Sequence, residues 1–167
     1  PGAEAGCAAT KNGHIAVIAT ESTVKGGAYE RAIHALNKEA EVTQLACPLF
    51  VALAEEGWTD GEVTEGAVKR YLLPLFPDGG EVPDTLVLGC THYPLIHDTI
   101  QTVAGKDVTI IDPANAVARQ VCERLGTQAQ PAPEAGDERF LTTSTNARIA
   151  ETLKQLRPMS IAEPIML

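Results

Sequence analysis

A thiol and an imidazole stand two residues apart in this chain, at Cys90 and His92, directly after the apolar run 84–89. A short run of this kind is typical of a strand buried in a parallel sheet. In such sheets functional groups gather beyond the carboxyl ends of the strands. A helix start around Pro94 would add partial positive charge and favour a thiolate at Cys90. The pattern therefore indicates a reactive thiol whose protonation His92 helps to set.

Two other interpretations of Cys90 have to be weighed. A free cysteine is often a small buried hydrophobe, but the strand-end position and the adjacent histidine favour the reactive thiol. A zinc site would draw on Cys90, His92 and His97, yet the rest of the sequence offers no companion cluster of ligands. We therefore expect no metal here. The remaining cysteines are expected to be structural, at Cys7, Cys47 and Cys122.

A second group of polar residues follows the apolar run 14–20, which is rich in β-branched residues and predicts another buried strand. The hydroxyls of Thr20 and Thr23 lie at its carboxyl end and could donate hydrogen bonds to a carboxylate, aided by the helix start that follows. They could equally cap that helix. The sequence alone fits both interpretations.

The elements that position these residues alternate between strand and helix. The predicted strands are 14–20, 42–46, 84–89, 108–111 and 138–143. The predicted helices are 22–36, 49–56, 60–73, 94–103, 114–125 and 147–156, with a loop at 127–137. This alternation predicts an α/β fold with three layers, a mostly parallel sheet flanked by helices.

Composition excludes several classes of protein. The chain has 167 residues, is 44% hydrophobic and carries a net charge of −9, without a basic stripe that would bind nucleic acid. No apolar run is long enough to span a bilayer, and the first residues do not form a secretory signal. Four cysteines without a CxxC spacing are typical of reduced thiols. We expect a cytoplasmic protein without nucleic-acid or membrane partners.

Several segments resemble glutamate racemases. Leu88-Gly89-Cys90-Thr91-His92-Tyr93-Pro94-Leu95 is similar to the second signature of that family. Three further segments resemble family segments in the same order, namely 13–29, 46–57 and 111–113. The resemblance covers roughly residues 1–125.

The resemblance implies a cofactor-independent enzyme that interconverts L- and D-glutamate and supplies the D-isomer for peptidoglycan. In that family two cysteines face opposite sides of the substrate α-carbon, one as thiolate base and the other as thiol acid. No pyridoxal electron sink is present, so positioning and electrostatics must make the α-proton acidic. The resemblance also allows a homodimer.

The resemblance also implies roles for individual residues. Cys90 matches the second catalytic cysteine and His92 its assisting residue. Glu55 resembles an acidic residue with a supporting role, although the adjacent Glu56 leaves the register open. The substrate-binding hydroxyls would be Thr91 at the α-carboxylate end and, near the side-chain carboxylate, Thr20 and Thr23.

The chain also departs from the family. The first catalytic cysteine lies in a motif of the family's first half that does not occur here. Residues 1–113 would form the second α/β domain, and residues 114–167 would complete the first domain. The chain alone is therefore expected to be inactive. The alternatives are a non-catalytic module that binds small molecules and a related aspartate or hydantoin racemase, although His92 favours glutamate over aspartate.

Overall fold

The structure, a computed structural model, describes residues 1–77, 81–126, 141–142 and 165–166. The chain divides into two compact units, Pro1–Gly126 and Thr127–Leu167. The first unit contains a four-stranded parallel sheet flanked by helices. This confirms the predicted α/β architecture.

The elements of the first unit begin and end as follows. Its strands are β1 (His14–Ala19), β2 (Glu41–Ala46), β3 (Thr85–Leu88) and β4 (Thr109–Ile111). Its α-helices are α1 (Gly2–Ala9), α2 (Glu21–Gly26), α3 (Ala28–Leu36), α4 (Pro48–Glu55), α5 (Gly61–Leu72), α6 (His97–Ala104) and α7 (Pro113–Leu125). Two 3₁₀ turns occupy Leu73–Leu75 and Tyr93–Ile96. In the second unit, β5 (Leu141–Thr142) pairs in parallel with β6 (Ile165–Met166).

The order of strands in the larger sheet is β2-β1-β3-β4, with every neighbouring pair parallel. The chain leaves β1 towards β2 on one side and then crosses to β3 on the other side of β1. The order of winding therefore reverses between β1 and β3. In open α/β sheets such a switch point opens a crevice at the carboxyl ends of the strands.

The core occupies both faces of the sheet, because successive side chains of a strand point to opposite faces. All six residues of β1 are buried. Ile15 and Val17 belong to an apolar cluster with α1 and α3, whereas Ala16 and Ile18 belong to a larger one with α4, α5 and α6. The sheet is thus the middle of three layers, as predicted.

Two helical predictions need correction, and one helix was not predicted. The predicted helix 22–36 is interrupted at Gly27, whose left-handed backbone (φ 59°) ends α2 before α3 begins. The helix expected from Pro94 begins instead as the 3₁₀ turn, and α6 starts only at His97. Helix α1 was not predicted, because its Gly- and Ala-rich sequence has no strong apolar period. The predicted loop 127–137 and helix 147–156 lie outside the described residues.

Asp84 fastens the amino-terminal edge of the sheet. Its carboxylate accepts hydrogen bonds from the Thr10 hydroxyl at 2.7 Å, from the backbone amides of Lys11 and Asn12 at 2.7 and 2.9 Å, and from the Thr85 hydroxyl at 2.9 Å. Partial burial would raise the pKa of Asp84, but these donors together lower it below its ordinary value. The carboxylate therefore ties the segment after α1 to the start of β3.

Among the described helices, none is long and apolar enough to cross a membrane. Helix α7 lies against α1, and the Gln120 side chain donates a hydrogen bond to the Glu4 carboxylate at 2.7 Å. Another face of α7 carries an exposed apolar stripe, made of Val117, Val121 and Leu125.

Candidate active site

Three loops meet at the carboxyl edge of the sheet. Ile18 of β1 is in register with Leu88 of β3, and the Gly89 amide donates to the Ile18 carbonyl at 2.7 Å. On the other side of β1, the Cys47 amide donates to the Ala19 carbonyl at 2.9 Å. The loop that starts at Thr20 therefore lies between the loop of Cys90 and the loop of Cys47.

Gly89 is required by the close approach of two strands. A Cβ at this position would lie 2.9 Å from the Ile18 carbonyl oxygen, 3.0 Å from the Ala19 Cβ and 3.1 Å from the Tyr29 ring. Any larger residue would push β3 away from β1. Glycine before Cys90 thus permits this tight backbone approach.

Cys90, His92 and Glu55 form a line of side chains. The Cys90 sulfur lies 3.7 Å from Nδ1 of His92, and Nε2 of His92 lies 3.3 Å from a carboxylate oxygen of Glu55. Cys90 and His92 are half-buried, while Glu55 is exposed at the end of α4. The ring of His92 therefore lies between the thiol of Cys90 and the carboxylate of Glu55.

The α-helix predicted to start around Pro94 begins later in the chain. The residues after Cys90 enter a 3₁₀ turn, and the Tyr93 amide donates to the Cys90 carbonyl at 3.2 Å. Because α6 starts only at His97, its partial positive charge is a further turn away from the thiol. The imidazole of His92 is therefore the group that can assist the Cys90 thiolate.

The hydroxyls after β1 bond to one another and do not cap α2. Thr20 is the N-cap of α2 but makes no capping bond with its side chain. Its hydroxyl lies 3.0 Å from that of Thr23 and 3.2 Å from that of Ser22. The side chain of Thr20 therefore does not cap α2. Thr91 is exposed between Cys90 and His92.

An open depression of about 480 Å³ lies beside these hydroxyls. It is lined by Thr20, Glu21, Ser22, Lys25, Pro48 and Val51. Lys25 pairs with Glu21 at 3.4 Å, and both side chains are exposed. The lining includes Thr20 but neither Cys90 nor His92, so within this unit the hydroxyls and the thiol face partly different spaces.

Comparison with known proteins decides the family. The family model described as Asp/Glu/Hydantoin racemase matches residues 2–121. The chain belongs to this racemase family. A glutamate racemase of Geobacter metallireducens is 44% identical over 149 residues, which are 88% of this chain and 54% of that protein. The chain therefore spans about half the length of that relative.

Solved racemase structures share the fold. Glutamate racemase isoform RacE1 of Bacillus anthracis matches with a TM-score of 0.84 and 33% identity, over 100% of this chain and 62% of that one. The Francisella tularensis glutamate racemase, solved in complex with D-glutamate, matches with a TM-score of 0.77 and 28% identity, over 99% and 62%. These matches confirm the resemblance to glutamate racemases.

Two other cysteines of this racemase-family chain, Cys7 and Cys47, have thiols whose pKa is raised by burial. Burial raises the pKa of the Cys47 thiol to about 12, and burial also raises the pKa of Cys7 above its ordinary value. Cys47 is fully buried, whereas Cys90 is accessible. Among the described residues, no group of three or more His, Cys, Asp or Glu side chains could hold a metal ion.

Two residues beside the site were not singled out from the sequence. Ser22 joins the hydroxyl cluster, and Tyr93, inside the motif, buries its ring and donates a hydrogen bond to the Cys47 carbonyl at 2.9 Å. A buried tyrosine hydroxyl normally finds a partner, which is the one signal that could have drawn attention to Tyr93. The identity of that partner depends on the fold.

Proposed function

We propose that the chain supplies one half of a glutamate racemase, an isomerase that interconverts L- and D-glutamate without a cofactor. The observation that carries the proposal is the line from Cys90 through His92 to Glu55, at 3.7 and 3.3 Å, at the switch point of the sheet. A thiol with an imidazole beside it and a carboxylate beyond that imidazole can move a proton to and from a carbon atom. Glutamate is the substrate named for the racemases that the chain resembles.

In this proposal Cys90 is one of two catalytic thiols. As thiolate, its sulfur takes the α-proton from one face of glutamate, while a thiol on the opposite face delivers a proton to the α-carbon. In the reverse direction the two sulfurs exchange roles. His92 stabilises the thiolate of Cys90, and Glu55 holds His92. The position of Glu55 beside His92 supports this residue over Glu56 as the supporting acid.

The substrate carboxylates would bind to hydroxyls. Thr20 and Thr23 are suited to the side-chain carboxylate, because they lie together and neither is used as a helix cap. Thr91, exposed beside the thiol, is suited to the α-carboxylate end. Hydroxyls placed in this way orient the α-carbon towards Cys90.

The second thiol must come from another part of the enzyme. We propose that residues 1–113 form the second domain of the racemase and that residues 114–167 complete the first domain. The exposed stripe of α7 supports this division, since Val117, Val121 and Leu125 are 46, 48 and 70% exposed. Apolar side chains at this spacing on one helix face are suited to packing against another element.

The physiological part of the proposal follows from the activity. D-Glutamate would serve peptidoglycan synthesis, and thereby cell-wall biogenesis and cell shape, in the cytoplasm. The net charge of −9 supports small molecules rather than nucleic acid or membranes as partners. A homodimer is the assembly that the family resemblance allows.

A chimaera tests the proposal. The chain replaces the matching segment of the Geobacter metallireducens glutamate racemase, which supplies the rest of the enzyme. We expect this chimaera to form D-glutamate from L-glutamate, measured by chiral chromatography, and the 167-residue chain alone to form none. In the chimaera, Cys90→Ala should lower the rate by about a hundred- to ten-thousandfold, because it removes a proton-transfer group.

Cys122→Ala is the matched control, because this thiol lies on α7 away from the three loops. It should keep most of the activity. A folded chimaera that racemises aspartate or hydantoins but not glutamate would assign the chain to another branch of the family. A folded chimaera that binds glutamate without turnover would favour a non-catalytic binding module.

A further inference from the structure

The backbone of Cys47 joins all three loops at the carboxyl edge. Its amide donates to the Ala19 carbonyl at 2.9 Å, directly before Thr20. Its carbonyl accepts from the Phe50 amide at 3.1 Å, in the first turn of α4. The same carbonyl accepts from the Tyr93 hydroxyl at 2.9 Å. A single peptide junction thus links the loop of Thr20, the helix that ends at Glu55 and the motif of Cys90.

Of these three hydrogen bonds, only the one from Tyr93 uses a side chain. Tyr93 is fully buried, and burial followed by the nearby Cys47, Cys90 and Tyr71 raises its pKa above the ordinary value. The hydroxyl therefore stays protonated and donates throughout the neutral range. A buried donor and acceptor of this kind hold their geometry because neither has water as an alternative partner.

Helix α4 is the element that this bond restrains. Phe50 packs edge-on against Tyr93, with ring centroids 5.4 Å apart, and against Tyr71 on its other side at 5.2 Å. The last residue of α4 is Glu55, whose carboxylate reaches His92. His92 is the residue directly before Tyr93. A shift of α4 relative to the motif would therefore change the 3.3 Å contact between Glu55 and His92.

We propose that Tyr93 is a positioning residue of the catalytic site, whose hydroxyl bond to Cys47 fixes α4 so that Glu55 meets His92. This inference rests on the proposed function, in which Glu55 and His92 assist the thiol of Cys90. It adds a residue that acts through Glu55 and touches neither the substrate nor the reacting atoms.

The test measures how fast Cys90 reacts with iodoacetamide in the 167-residue chain, followed across pH by peptide mass spectrometry. The titratable groups that face Cys90 are His92, Tyr29 and Tyr93. Glu55→Gln should slow alkylation at pH 7 about threefold, because it removes the negative charge that lies 3.3 Å from the ring of His92, beside the thiol. Tyr93→Phe should slow it by a similar factor.

The double variant separates positioning from a direct effect. If Tyr93 acts through Glu55, adding Tyr93→Phe to Glu55→Gln changes the rate no further. A direct influence of the phenol on the sulfur would persist in the Glu55→Gln background. Salt gives a second readout: 0.5 M NaCl should shrink the difference between Tyr93→Phe and the unchanged chain, because Glu55 is exposed and screened.

Tyr71→Phe is the matched control. Tyr71 contacts the same Phe50, but its hydroxyl has no hydrogen-bond partner among the described residues. Its removal should leave the alkylation rate unchanged. Tyr93→Phe should fold, since the Cys47 carbonyl keeps its bond from the Phe50 amide. Phe50→Leu is a second variant that loosens α4 with Tyr93 intact, and it should give the same non-additive loss.

Two results would overturn the inference in different ways. A normal rate for folded Tyr93→Phe, with slow alkylation in Glu55→Gln, removes the role of Tyr93 and leaves the proposed function standing. A normal rate in both variants removes the inference together with the supporting role of Glu55. The racemase assay on the chimaera judges the proposed function separately.

Discussion

The two edges of the sheet are built differently. At the amino-terminal edge, Asp84 accepts four hydrogen bonds of 2.7–2.9 Å and ties two segments together. At the carboxyl edge, Cys90, His92 and Glu55 are separated by 3.7 and 3.3 Å, and Glu55 is 61% exposed. The hydrogen bonds to Asp84 are short, whereas the contacts between Cys90, His92 and Glu55 are longer and open to solvent.

The difference separates a structural carboxylate from a chemical one. The four hydrogen-bond donors to Asp84 all belong to this chain, so its carboxylate has a structural role. Glu55 lies beside the ring of His92, and the other side of that ring lies beside the thiol of Cys90. Short contacts at one edge allow looser, functional contacts at the other, because the two central strands between them, β1 and β3, are fully buried.

The largest expected effect separates two thiols of the carboxyl edge. At pH 8, iodoacetamide should modify Cys90 at least about a thousandfold faster than Cys47, because Cys47 is buried and its pKa is about 12. Cys7, whose pKa is also raised, should react later than Cys90. Peptide mass spectrometry at timed intervals gives the order. Early labelling of Cys47 in the folded chain would contradict the buried environment described for it.

A smaller effect, on stability, is expected for Gly89→Ala. The added Cβ meets the Ile18 carbonyl at 2.9 Å, so the variant should lose about 2–3 kcal/mol of unfolding free energy in urea. Gly66→Ala is the matched control, because nothing lies within 4 Å of its Cβ position in α5. It should gain about 0.5–1 kcal/mol from higher helix propensity. Equal effects in the two variants would refute the close approach of β3 to β1.

The smallest effect is expected for Asp84→Asn. This variant should lose about 1–2 kcal/mol of unfolding free energy at pH 7, because an amide cannot accept all four hydrogen bonds. Since the folded pKa of Asp84 is lowered, its contribution is present above the unfolded value of 3.8 and is lost as pH falls through the folded value. Urea unfolding at pH 7 and below pH 3.8 checks this. The difference in unfolding free energy between the variant and the unchanged chain should disappear in acid. The rate of Cys90 alkylation at pH 7 should be the same in both.

The structural features that could be predicted from the sequence were those that depend on local pattern. The apolar runs of β1 and β3 placed Thr20 and Cys90 at strand ends, and parallel pairing then brings those ends to one edge. Side-chain relations across long separations could not be predicted in the same way. The bond from Tyr93 to Cys47 joins residues 46 positions apart and exists only because α4 packs on the 3₁₀ turn.

Local pattern also failed where two conformations compete. Pro94 suits the first turn of an α-helix and of a 3₁₀ helix equally well, and burial of Tyr93 selects the latter. From the sequence Gly27 was predicted to lie within a helix. In the structure its left-handed φ of 59° separates α2 from α3. Helix α1 gave little apolar signal, yet its small residues allow close packing, since a Cβ at Gly6 would lie 3.0 Å from Val87.

The order β2-β1-β3-β4 has a consequence for how the site forms during folding. The β1–β2 pair closes over a connection that contains α2 and α3, whereas the β1–β3 pair encloses these helices and also β2, α4 and α5. Pairings that close longer loops lose more chain entropy and tend to form later. We therefore expect the hydroxyl loop after β1 to be in place first. The thiol of Cys90 then joins it only when β3 docks, so the site is completed in the same step as the central sheet.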